Sequence, residues 1–508
     1  MKNKKLIGMT LAATVALSSV SCNRDKFLDT NTTPNNPTAV TMPVLLTSTI
    51  INTAFMATND LGRTGALLTQ QYAGIANQPA TYDVYILRGS FDNQWNFELY
   101  GGTLINSQTL IDLSVTKSSP AYGGIAKLLK AYNYAVVTDL YGDVPYSQAL
   151  QGNANLHPRY DKQEDIYKGN SGLGIVGLID LVKDGLADLD KPSLSKPGAA
   201  DDPVYGKFAN NVAQWKKMGN TLLLKLANTI SKKEPALAAA IINQYAAGAI
   251  TTNAEDFDIL FGSATGNQNP LYNYNFVTRP DDQMLSQTLL TAMATRNDPR
   301  LPLYFNTTPG PPANNTATTT TVGTFTGYIN GNNAPVPSRV AGNRSRYNTY
   351  IRGTSGEAPA RLLTNAQRLF ILAEAALKLP GITVAGTAQS FYQAAIRASM
   401  IKAGVADADV TAYFAANPGE ANLSTNTDTA LEQIITQKWI SWVGTGLEPY
   451  NDYRRTTYPR LAPALNASGD DLNIPQRFPY PLSELNANVG AENQNANIRT
   501  SVPVWWAN

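Results

Sequence analysis

The run "AYGGIAKLLKAYNYAVVTDLYG" is the strongest local constraint in the chain. Ile125, Leu128, Leu129, Tyr132 and Val136 recur at i, i+3, i+4, i+7 and i+11, which sets an apolar stripe on one face of a helix. A second run, "ALEQIITQKWISWVG", places Leu431, Ile434, Ile435, Trp439 and Trp442 the same way. Two such helices are stable only if their stripes are buried against other elements. Further helical patterns fall near 43–56, 62–76, 95–113, 173–188, 209–230, 236–247, 282–295, 365–379 and 388–403. In "AQRLFILAEAALKL" and "AQSFYQAAIRASMIKAG", alanines alternate with large side chains, so two helices can approach closely. This resembles a tetratricopeptide pair without a strict 34-residue period. The fold class is therefore mainly α, with tetratricopeptide-like helical pairs and a loop-rich, irregular portion.

The first 21 residues differ from all this. "MKNKK" is followed by twelve apolar or small residues, Leu6 to Leu17, and then by small residues up to Ser21. That is a secretory leader. Twelve residues at 1.5 Å each span about 18 Å, too short for the roughly 30 Å hydrocarbon core. Cys22, the only cysteine, comes next, and with no partner it forms neither an internal disulfide nor a zinc cluster. Its position resembles the lipobox of bacterial lipoproteins, although Ser19 stands where leucine is usual. We therefore expect lipidation (palmitate) at Cys22, with an ordinary leader and an incidental cysteine as the alternative. Residues 22–40, including "NTTPNNPT", form a flexible tether, and 41–508 a single domain. Within it, roughly 30 of the 44 residues at 306–349 are Thr, Asn, Gly, Pro or Ser, which predicts a loop excursion with one short hairpin.

Loss of the leader removes Lys2, Lys4 and Lys5, taking 40 basic residues to 37 against 38 acidic ones. A near-neutral chain without clustered positive charge is no nucleic-acid binder. "GLGIVG" (Gly172, Gly174, Gly177) matches a dinucleotide fingerprint, but "YDKQEDIYKGNS" before it is too polar for a buried strand. His157 is the only histidine and reads as a surface or turn residue. Asp139 and Asp143 in "TDLYGDVPY" are the tempting carboxylate pair, yet Gly142 and Pro145 favour a structured turn. No cofactor, metal site or catalytic residue is expected.

Aromatic residues are more suggestive. The chain has 25 tyrosines and 6 tryptophans, many beside Asn, Gln and Asp, as in "NQPATYDVYILRGSFDNQWNFELY" and "GNQNPLYNYNFVTRPDDQ". Flat rings beside amide hydrogen-bonders suit a sugar, which offers an apolar ring face and hydroxyls. The candidate ligand residues are Tyr82, Tyr85, Trp95, Tyr272, Tyr274, Asn275 and Arg279. The competing reading has most of these rings packed at helix ends, with Trp95 and Leu99 sharing a buried helical face.

The C-terminal runs "QKWISWVGTGLEPYNDYRRTTYPRL" and "IPQRFPYPLSELNAN" resemble the closing signature of the SusD/RagB-like outer-membrane lipoproteins. "TDLYGDVPYSQAL", "NDPRLPLYF", "LFILAEAAL" and "CNRDKFLDTNTTPNNPT" resemble the same family, and details favour its branch of starch-binding proteins associating with the outer membrane. Tyr450 and Tyr453 stand where tryptophan is common in that family. Asp452, Arg454, Arg455, Arg477 and Glu484, with Pro459, Pro475 and Pro481, read as a structural clamp. The resemblance implies a non-enzymatic, lipid-anchored protein facing the cell exterior. Its partner would be a SusC-like TonB-dependent transporter, over which it acts as a lid delivering oligosaccharide. Peptide or other polymer fragments are the alternative ligands, and an anchored glycoside hydrolase is the alternative activity.

Overall fold

A computed structural model describes residues 40–308 and 324–508. The leader, Cys22, the tether up to residue 39 and the 309–323 part of the excursion lie outside them. The first helices are α1 (Met42–Thr58) and α2 (Asp60–Leu68). The helical segment expected over 62–76 stops at Leu68, because Gln70 takes a positive φ of 55° and Tyr72–Gly74 becomes strand β1. A short helix α3 (Asn77–Asp83) and a π-helical segment (Gln94–Leu104) lead into α4 (Ile105–Thr116).

Helices α5 (Pro120–Tyr141) and α6 (Leu178–Leu189) follow, with strands β2 (Val144–Pro145) and β3 (Tyr160–Asp161) between them. Helix α5 packs on both α4 and α6. The α5–α6 crossing is close enough that a Cβ on Gly124 would sit 2.7 Å from the Gly185 carbonyl oxygen. Only glycine on both sides permits that approach. All five stripe residues of α5 are buried, and so are Tyr134, Val137 and Leu140 on other faces. The helix is thus central, with neighbours around it, rather than one-faced.

The next pair is α7 (Asn211–Ile230) and α8 (Pro235–Tyr245). Asn210 starts α7 by accepting from Ala213 N, and Pro235 occupies the first turn of α8. Strand β4 (Phe257–Ile259) comes next, then β5 (Gln283–Leu285). The predicted helix over 282–295 is divided there: Ser286 ends β5 and caps a helix running Gln287–Ala294. Strand β6 (Ala360–Leu363) precedes α9 (Asn365–Lys378) and α10 (Ala388–Ala403), the alanine-rich pair. Thr364 caps α9, Thr387 and Ser390 form a capping box on α10, and Gly404 ends α10 in the left-handed region. Helices α11 (Thr427–Ser441) and α12 (Leu447–Thr456) complete the scaffold.

The strands form three antiparallel pairs, β1–β5, β2–β3 and β4–β6. Two of them, β1–β5 and β4–β6, join distant parts of the chain, as in the register Tyr72↔Leu285. The main core runs from α1 to α12 and the C-terminal segment, and a second cluster around Phe370, Tyr392, Ile396 and Ile435 fills the space between α9, α10 and α11. The fold is mainly helical and built on tetratricopeptide-like pairs. In the excursion, the Thr308↔Thr324 and Phe305↔Tyr347 bridges pair its two limbs. Asp83 accepts from Asn330 Nδ2 and Gly331 N, which ties the excursion to α3. No helix among the described residues is long and apolar enough to cross a membrane.

Charges meet in the interior where α5, α7, α9, α11 and α12 converge. Lys225 Nζ lies 3.0 Å from Glu448 Oε1 and 3.7 Å from Asp139 Oδ2. Asp452 pairs with Lys438 and Arg455, each at 2.9 Å, and Arg455 also binds Glu374. Asp139 accepts from Tyr167, Asn451 and Trp506, and its carbonyl from Arg454. Its carboxylate is fully engaged in structure, and His157 sits exposed in a turn. Removing one partner from such a buried pair leaves an uncompensated charge, at a cost of about 3–5 kcal/mol. We therefore expect Lys438→Met to lower unfolding free energy in urea by about 3–5 kcal/mol, and Lys438→Met with Asp452→Leu to recover part of the loss.

Candidate functional site

Helix α1 is buried along most of its length, but Phe55 near its end is 42% exposed. One turn further on is Asn59, beyond the end of the helix. Facing them is the segment 266–278. Asn269 initiates its helical turn by accepting from Leu271 N, and donates through Nδ2 to the Ala358 carbonyl. Gln268 donates to the Ser355 carbonyl. These bonds hold the segment against 355–358. Phe55, Asn59, Gly266, Gln268, Pro270, Asn273, Tyr274 and Thr278 together enclose a cavity of about 360 Å³.

Tyr274 supplies a fixed wall of this cavity. The Arg63 guanidinium lies 3.5 Å from its ring centroid, and its hydroxyl donates to Asp282 Oδ2 at 3.0 Å. Arg63 is itself paired with Asp60 at 2.9 Å. On the other side, Asn59 Nδ2 donates to Glu98 Oε1 at 2.6 Å, which fixes the amide. Phe97, beside Glu98 on the π-helical segment packed on α1, is 72% exposed. The arrangement offers rings, amides and a hydroxyl, and no carboxylate among the residues enclosing the cavity. Such a surface binds a ligand with an apolar face and hydroxyl edges. No group of three or more His, Cys, Asp or Glu side chains is placed to hold a metal ion among the described residues.

The structure separates the residues singled out from the sequence. Tyr274 lines the cavity, and Arg279 is exposed just beyond it. Trp95 is only 2% exposed; its indole donates to Glu484 Oε2 and its ring packs edge-on against Tyr141. The competing reading, in which Trp95 shares a buried face with Leu99, describes this placement. Tyr82 is buried against Phe91 and accepts from Gln78, and the buried Tyr85 hydroxyl accepts from Ala464 N. Tyr272 stacks on Phe276 at 5.3 Å, and Asn275 is buried, donating to the Leu271 carbonyl. These five are buried, and ring packing and hydrogen bonds occupy them. Phe55, Asn59, Phe97, Gln268 and Asn273 were not anticipated. The available signal for Phe55 was a large ring on the polar side of a helical pattern.

Burial pushes the Glu98 carboxyl up to about 7; the Asn59 hydrogen bond opposes this and the neighbouring Asp60 adds to it. Between the ordinary value of 4.5 and about 7, the folded protein keeps a proton that the unfolded chain has released. Stability contributed by this group therefore falls as pH rises through that window, and is level above it. Melting temperatures measured from about pH 5 to about pH 7.5 should show a shallower decline in Glu98→Gln than in the native protein.

A family model described as SusD-like, starch-binding associating with outer membrane, matches residues 34–481. No curated protein sequence matches the chain. Among solved structures, a SusD homologue from Bacteroides uniformis is 26% identical, with a TM-score of 0.71 over 91% of this chain and 99% of its own. A chitin-binding SusD homologue from Flavobacterium johnsoniae is 22% identical, with a TM-score of 0.73 over 92% of this chain and 98% of its own. A protein described as chitin-binding is 24% identical, with a TM-score of 0.73 over 92% and 100% of the two chains.

Proposed function

The chain belongs to the SusD-like family of starch-binding proteins associating with the outer membrane, and from that footing we propose that it is a non-enzymatic surface lipoprotein that captures oligosaccharide for uptake. The cleft at the end of α1 carries the reading. Phe55 and Tyr274 supply ring faces for the apolar side of a sugar. Asn59, Gln268, Asn273 and Thr278 line it with amides and a hydroxyl suited to meeting sugar hydroxyls. Family members described as binding starch and chitin are consistent with a β- or α-linked glucan-like chain as ligand.

In this reading the sulfur of Cys22 carries acyl chains, since one chain gives only marginal anchoring and two or three hold firmly. The tether 22–40 then lets the single domain 41–508 swing as a lid over a SusC-like TonB-dependent transporter. A lid must release what it captures, so the isolated protein binds modestly and the barrel supplies the opposing wall. Binding is the proposed role because the cleft is lined by amides and a hydroxyl rather than by two facing acids.

Isothermal titration with malto- and chito-oligosaccharides tests this directly. We expect one of the two series to bind, and Phe55→Ala to weaken it about tenfold, the equivalent of about 1.4 kcal/mol. Undiminished affinity in Phe55→Ala would remove the cleft from the account, and release of shortened glycan would remove the non-enzymatic role. Separately, Cys22→Ala should move the protein from the membrane to the soluble fraction; unchanged partitioning would exclude the lipid anchor.

A further inference from the structure

A larger cavity, of about 550 Å³, lies away from the cleft, between α4, α5, α6 and the 146–151 loop. Ligand sites for small molecules run from about 300 to 1,000 Å³. Its sides are apolar, from Ile111, Leu150, Val176 and Leu181. Asp112 and Asp184 are exposed at its rim, and Lys130 is largely withdrawn from solvent.

The hydrogen bonds of Lys130 are incomplete. An ammonium has three donors. Here Nζ donates to Gln108 Oε1 at 2.6 Å and lies 5.9 Å from the Tyr134 ring centroid. No carboxylate among the described residues comes within 4 Å of it. Lys127, by contrast, is neutralised by Asp188 at 2.7 Å. The Gln108 amide is itself fixed by donating to Asp112 Oδ1, and the Tyr146 hydroxyl by donating to the Val176 carbonyl. Burial lowers the Lys130 ammonium to about 8, with Asp112 acting in the opposite sense. The inner end of the cavity is thus a cation with no carboxylate in direct contact, while its mouth carries carboxylates that accept hydroxyl hydrogens and repel a second negative charge.

We propose that this cavity is a second ligand site, selective for a sugar acid: one carboxylate reaches Lys130, and the hydroxyl-bearing remainder meets Asp112, Asp184, Ser147 and Gln151 at the mouth. A charge-assisted hydrogen bond to an otherwise unpaired ammonium makes the carboxylate the selective group. The apolar sides accommodate the ring face. The site is independent of the oligosaccharide cleft, from which it shares no lining residue.

The test compares glucuronosyl-glucose with neutral glucosyl-glucose by isothermal titration against the native protein, Lys130→Met, Val176→Trp and Phe55→Ala. The native protein should bind the acid at least tenfold more tightly than the neutral sugar. Lys130→Met should abolish that preference, and Phe55→Ala should leave the affinity for the acid intact. Val176→Trp, which adds bulk to one side of the cavity and keeps the lysine, should abolish the preference too and stands in if Lys130→Met melts below the assay temperature. Equal affinity for the two sugars would overturn the proposal. So would a preference that survives in a folded Lys130→Met protein, or an affinity for the acid that is lost in Phe55→Ala. N-Acetylglutamate binding as tightly as glucuronosyl-glucose would also overturn it, by showing that the hydroxyls contribute nothing.

Discussion

Eight charged side chains buried together set the architecture: Lys225, Lys438, Arg454 and Arg455 against Asp139, Glu374, Glu448 and Asp452. Each would be costly alone, because desolvating one ion costs several kcal/mol. Together they are mutually satisfied only when α5, α7, α9, α11 and α12 occupy one relative arrangement. Burial holds the Glu448 carboxyl above its ordinary value, while Lys438 and Arg455 overcome burial at Asp452 and hold it below. The network therefore fixes geometry, whatever it adds to net stability. The C-terminal stretch extends that hold outward: Arg454 binds the Gln476 carbonyl, and Glu484 receives both Trp95 Nε1 and the Tyr160 hydroxyl.

That last connection joins the core to the proposed ligand surface. Trp95 is clamped by Glu484, so the π-helical segment that follows it is fixed on α1 and presents Phe97 and Glu98 at a set height. Glu98 orients Asn59, and Arg63 braces Tyr274. The cleft is thus shaped by side chains whose own partners lie a layer deeper. A glycan surface gains from such bracing, since a ring already held flat loses less rotamer freedom when a sugar lies on it.

Helices were legible wherever their periodicity was carried by large apolar residues. Leu431, Ile434, Ile435, Trp439 and Trp442 are all buried, as their spacing required. The reading lost register at Gln70 and at Ser286, where strands of three residues pair across more than 200 positions. Partners that distant leave no local pattern. At the surface, ring-and-amide composition singled out the segment 266–279, yet composition does not say which way a ring points. Trp95, Tyr82 and Tyr85 find internal hydrogen-bond partners at residues 484, 78 and 464, two of them nearly 400 positions away. Phe55 has no polar atom to satisfy and stays at the surface, on the polar side of its helical pattern. The clamp of Asp452, Arg454, Arg455, Arg477 and Glu484 was readable as structural because opposite charges and prolines alternate there at turn spacing.

The central claim is that an oligosaccharide lies in the cleft formed by α1 and the 266–278 segment. A crystal structure of the protein soaked with the malto- or chito-oligosaccharide that binds in solution measures this most directly. The account predicts a sugar ring stacked on Phe55 or Tyr274, with its hydroxyls hydrogen-bonded to Asn59, Gln268 or Asn273. Ordered sugar at another surface, with this cleft left to solvent, would contradict it.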